Sequence, residues 1–132
     1  MIDPAASAMP VEIRGTGAFD YELASVSRFQ AALRRVVWSR RTEAGAGILC
    51  QALLVPEPEN GNDANAIRVE IGEETVGYIR HTHSARYQAA MRELGLCERA
   101  VVAKARVSRS SRHGVEFESF QVKLDLAWPP RL

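Results

Sequence analysis

Residues 48–79 constrain the fold most tightly. Ile48–Val55 is a nearly unbroken apolar run of strand length, and Pro56 and Pro58 stop it, which predicts a central β-strand. A loop rich in Asn, Asp and Gly follows. Asn65–Ile71 then alternates, with Ile67, Val69 and Ile71 on one side and Ala66, Arg68 and Glu70 on the other. Gly72 supports a tight turn into a further strand at Thr75–Ile79, so residues 65–79 read as a β-hairpin.

The flanks are built of short elements. Tyr21–Val26 is compatible with a short strand. Phe29, Leu33, Val36 and Val37 recur at helical spacing and predict a helix over Phe29–Trp38 with Ser27 as its cap, although Val36–Trp38 would equally suit the start of a strand. Tyr87, Ala90, Met91 and Leu94 line one face of a second helix over Ala85–Leu94, with Thr82 or Ser84 to start it and Gly95 to end it. Ala100–Val107 and Phe117–Leu126 complete the strands; Phe120, Val122, Leu124 and Leu126 alternate strictly with polar residues. Ser108–Gly114 is a basic loop between them. The expected class is mostly β with two helices (α+β), a small antiparallel barrel or curled sheet. Residues 1–18, punctuated by Pro and Gly, read as a poorly ordered lead-in, 19–128 as the domain, and 129–132 as a tail.

The formal net charge of +1 does not by itself mark a nucleic-acid binder, but its distribution is uneven. All the basic residues except Lys104 and Lys123 are Arg. Arg28, Arg34, Arg35, Arg40 and Arg41 share one stretch without an acid, and Lys104, Arg106, Arg109, Arg112 and His113 form a second. Brought together, two such segments would attract phosphate. Cys50 and Cys97 each sit in an apolar stretch and read as buried free thiols of a reducing compartment, with a disulfide open if their strands meet and cytoplasm as the expected location. No apolar run approaches the roughly 18–20 residues of a membrane span, and Met1–Pro10 lacks the pattern of a secretory signal.

Residues 53–79 also carry a resemblance. Val55, Pro58, Asn60, Asp63, Asn65, Ala66, Ile67, Val76, Gly77, Tyr78 and Ile79 match, in order, the signature of the HIRAN family, with looser agreement across residues 22–127. That family is described as an OB-like β-barrel, found on helicase- and nuclease-type DNA-processing proteins and as a standalone bacterial protein. In one helicase-like member it captures the free 3′ end of single-stranded DNA. The resemblance implies a DNA-binding module with Arg28, Phe29, Asn62, Asp63, Asn65, Arg106, Arg109, Arg112 and Phe120 as site residues. Its partners would be single-stranded DNA or DNA ends and a helicase or nuclease; a monomer is assumed. Asp63 matches the position that meets the 3′-OH. Asn62 and Arg28 stand where the binding member has aromatics, though a guanidinium can also stack on a base.

Plainer readings stand beside these. Asn60, Asp63 and Asn65 can stabilise a tight loop through their own backbone. Phe29 and Phe120 suit either a core or a binding surface. A module that docks a partner protein, without touching DNA, is the alternative function. Catalysis is not expected. His81, His83 and Cys97 lack a further metal ligand at standard spacing, Ser110, Ser111 and His113 lack an orienting acid, and Glu116, Glu118 and Asp125 read as solvated strand faces. No phosphate loop or cofactor motif is present.

Overall fold

The computed structural model describes residues 10–40, 47–110 and 119–132. In chain order these form β1 (Val11–Glu12), β2 (Tyr21–Glu22), a 3₁₀ turn (Val26–Phe29), α1 (Gln30–Arg40), β3 (Ile48–Pro56), β4 (Ile67–Ile71), β5 (Glu74–Tyr78), a second 3₁₀ turn (His81–His83), α2 (Ser84–Glu93), β6 (Val101–Ser110) and β7 (Ser119–Asp125). The domain is mixed α/β, a curled antiparallel sheet in the order β2-β7-β6-β3-β4-β5 with two helices, and β1 adds a short parallel pairing on β6. No helix among the described residues is long and apolar enough to cross a membrane.

Alternation explains the curl's inner face. Ile48, Cys50, Ala52 and Leu54 of β3 are buried, as are Val101, Ala103, Ala105 and Val107 of β6 and Phe120, Val122 and Leu124 of β7. β3 is central, pairing with β4 on one side and β6 on the other. The β4–β5 hairpin turns through Gly72 and Glu73, both with positive φ (59° and 69°), as a two-residue type I′ turn requires. Leu33 and Val36 of α1 and Tyr87 and Met91 of α2 fill the core. Gly95, at φ 72°, ends α2, and the Leu96 N–H reaches back to the Met91 carbonyl at 2.8 Å.

Several expectations change. Ser27 does not cap α1, because it lies inside the 3₁₀ turn that leads into the helix, and His83 occupies the cap position of α2 without a side-chain cap bond. The folded chain begins before Phe19. Val11–Glu12 pairs with Val101–Val102, Ile13 is buried, and the N–H groups of Thr16 and Gly17 both donate to Asp125 Oδ1 at 2.8 Å. Asp125 is therefore a buried clasp for the entering chain, not a solvated strand-face acid. Cys50 is buried as expected, but Cys97, in the turn after α2, is exposed.

The two ends of the curled sheet meet at one place. Ala24, just after β2, pairs with Tyr78 at the end of β5 through two hydrogen bonds, Ala24 N–H to the Tyr78 carbonyl (2.9 Å) and Tyr78 N–H to the Ala24 carbonyl (3.0 Å). Gly77 permits this approach, since a Cβ there would stand 2.9 Å from the Ala24 carbonyl oxygen and 3.1 Å from Leu23. Gly77→Ala should force this seam apart and cost about 1–3 kcal/mol, measurable by urea unfolding. A variant as stable as the parent would mean the seam is not a fixed part of the fold.

Candidate nucleic-acid interface

The seam sets two 3₁₀ turns and one loop side by side. The turn Val26–Phe29 follows Ala24, and the turn His81–His83 follows Tyr78 by two residues. The second turn is pinned to β2. His83 Nδ1 lies 2.8 Å from the Tyr21 hydroxyl, that hydroxyl accepts the Arg80 N–H at 3.2 Å, and the rings of Tyr21, His83 and Trp128 pack together.

The loop between β3 and β4 is built on side chains that bond backbone. Asn60 Oδ1 accepts the N–H groups of Asn62 (2.9 Å) and Asp63 (3.2 Å), and its amide donates to Glu57 Oε1. Asp63 Oδ1 in turn accepts the Asn65 N–H at 2.9 Å. These are two successive turns of the Asx kind. The loop's foot is tied to the hairpin by Glu57, whose Oε2 meets Arg68 Nη1 at 3.0 Å and the Tyr78 hydroxyl at 3.3 Å. The structural role considered for Asn60 and Asp63 is thus real.

These pieces line an open depression of about 280 Å³, just under the usual size of ligand pockets. Arg28, Asn62 and Asp63 all line it, together with Asn60, Tyr78 and His81. Arg28 carries the one guanidinium in the lining. It lies 5.8 Å from the Phe29 ring and makes no ion pair among the described residues. Asp63 is its opposite, an acid with its partners in place. Oδ2 lies 3.1 Å from His81 Nδ1, and the buried Ser84 hydroxyl stands between this carboxylate and the Arg80 carbonyl. A carboxylate offers about four lone-pair directions, so three donors leave at least one acceptor direction for a ligand.

The other expected residues are distributed differently. Phe29 is half-buried, tilted against Tyr78 with centroids 6.2 Å apart, and lines a neighbouring cavity that shares Arg28. Asn65 is exposed and does not line the first cavity; its carbonyl accepts Gln88 Nε2. Phe120 belongs to the core, with its backbone held by both ends of the Gln30 amide. Arg106 packs over the Phe19 ring at 4.5 Å, and Arg109 sits opposite Phe120 on β6; neither lines the cavity. Arg112 and His113 lie outside the described residues, as do Arg41, Ser111, Glu116 and Glu118. Of the two basic segments, the first therefore reaches the Asp63 loop, and the described part of the second does not. In sequence, His81 and His83 read as surface residues that cap the helix or touch phosphate, and nothing there foretells the pairing of His81 with Asp63.

Burial raises the Asp63 pKa, but the Asn65 N–H, His81 and Ser84 bonds and the nearby His81 charge outweigh it, so the carboxyl sits below its ordinary value. The ionised form is thus favoured in the folded state. Asp63 adds stability above the ordinary carboxylate pKa, and that stability is lost as pH falls through the depressed value. Asp63→Asn keeps an oxygen for the Asn65 turn and should flatten the acid limb of a melting profile below about pH 4. Asp63→Ala should lose the turn as well, by about a further 1 kcal/mol. An unchanged acid limb in Asp63→Asn would show that the carboxylate's bonds do not persist in solution. Comparison with protein-family models, with curated proteins and with solved structures finds no match to this chain.

Proposed function

We propose that this chain is a DNA-binding module of the HIRAN kind that reads a single-stranded end carrying a free 3′-OH, acting by binding and not by chemistry. The observation that carries the reading is the shared cavity. Arg28 and Asp63, far apart in sequence, line one small depression in which the cation has no ion-pair partner among the described residues and the acid keeps an acceptor direction. Arg28 holds the last phosphate or stacks on the terminal base, and Asp63 accepts the terminal hydroxyl. The same acid repels a terminal phosphate, so end selectivity comes from what the site rejects. In this reading the curled sheet is an OB-like barrel, with its binding groove over the Ala24–Tyr78 seam, and the module serves a helicase or nuclease that works on DNA ends.

Fluorescence anisotropy with short oligonucleotides tests it. A 3′-OH strand should bind at least about tenfold more tightly than the same strand with a 3′-phosphate, a difference of about 1.4 kcal/mol. Blunt duplex should bind more weakly than the 3′-OH strand. Affinity should fall steeply with salt, and Arg28→Ala should reduce the salt slope by about one phosphate contact. Equal affinity for both ends removes the end-reading part. No detectable binding at low salt removes DNA as ligand and leaves a protein-docking module.

A further inference from the structure

The outer face of α1 carries features that the end-binding pocket does not use. Among the described residues, Trp38, Leu49 and Leu132 are the large apolar side chains left exposed, and Trp38 is the most exposed at 83%. An indole in water gives up much of the burial that usually justifies its size. Helical spacing places Arg34 and Arg35 four and three residues before Trp38, so both guanidiniums neighbour the ring's side of the helix. The helix sequence Gln30–Arg40 contains Arg34, Arg35 and Arg40 and no acid. Arg34 makes no ion pair among the described residues, while Arg35 is held by Glu74 Oε1.

This face is continuous with the pocket. Arg28 lines both the end-binding cavity and a second cavity of about 340 Å³, whose wall runs along α1 through Ala31 and Ala32 to Arg35. Trp38 lies one helical step beyond Arg35. From residue 28 to residue 38 the path rises roughly 15 Å, the reach of a few nucleotides rather than one.

We infer that a bound strand leaves the end pocket along the outer face of α1, and that Trp38 is a stacking platform for an upstream base. The inference rests on the end-binding reading. It adds a binding residue and a direction of travel, with Arg28 at the pocket and Arg34 beside the platform holding successive phosphates. An aromatic face between cations tolerates any base, so this part of the contact carries no sequence preference. Glu73 and Glu74 on the facing wall of the second cavity keep the phosphates on the helix side.

The test is a length series with Trp38→Ala and Trp38→Phe in the whole chain. A 3′-OH dinucleotide, too short to reach residue 38, should bind the parent and both variants equally. A 3′-OH octanucleotide should lose roughly 5- to 100-fold affinity with Trp38→Ala, the worth of one stacked base, and recover most of it with Trp38→Phe. Indole fluorescence of the parent should be quenched by the octanucleotide and not by the dinucleotide. An octanucleotide bound with 3′-OH preference yet indifferent to Trp38→Ala overturns the path and leaves the end reading intact. Equal losses at both lengths overturn it too, by showing a structural effect. If neither length binds the parent, both readings fall.

Discussion

The organisation of this domain depends on the antiparallel bridge between Ala24 and Tyr78. The middle of the sheet is secured by long ladders, β3 with β6 and β6 with β7 above all. The bridge has two hydrogen bonds, and it joins residues from opposite ends of the sheet. Because a 3₁₀ turn follows each partner, the bridge sets Arg28 and His81 beside each other. The Asn60–Asn65 loop then supplies the acid. Gly77 is the steric condition for this arrangement, which gives the Val76-Gly77-Tyr78 segment a physical reason independent of any resemblance.

The pocket's electrostatics follow from the same geometry. Most guanidiniums near the sheet edge are already neutralised: Arg68 between Glu57 and Glu70, Arg80 by Glu22, Arg35 by Glu74. Arg28 makes no ion pair among the described residues and is set against the Phe29 ring. Asp63 is held ionised by donors from the backbone, a histidine and a serine. A near-neutral chain thereby keeps one cation and one acid in a depression of about 280 Å³. A layout of one cation and one acid would suit the discrimination of chemical ends in the proposed reading better than the long-range attraction of polyanions.

Much of this fold was legible in sequence where periodicity is long enough to count. The β4–β5 hairpin and the alternation of β7 follow from period two, and β3 from an apolar run of strand length. The helices followed from period 3.6, though their first turns did not, because a 3₁₀ lead-in uses the same Ser and Thr that signal a cap. The entry segment was opaque for a plain reason. A two-residue strand has no period, and the bonds from Thr16 and Gly17 to Asp125 span over a hundred residues. Within the site, Arg28 and Asp63 were reached through the family resemblance and the charge pattern. His81 was not, since its value comes from Asp63 lying opposite it, which only folding reveals. Of the second basic segment, Arg106 lies over the Phe19 ring, and Arg112 and His113 lie outside the described residues.

A joint held by two hydrogen bonds is also a place where this sheet can gape at low cost. Its lips carry the two turns that make the pocket, so a brief parting dissolves the pocket while the long ladders stay intact. A ligand touching Arg28 on one lip and His81 on the other acts as a staple across that parting. Under the proposed reading, recognition and mechanical closure would be a single event, and occupancy would be felt first as slower amide exchange at Ala24 and Tyr78.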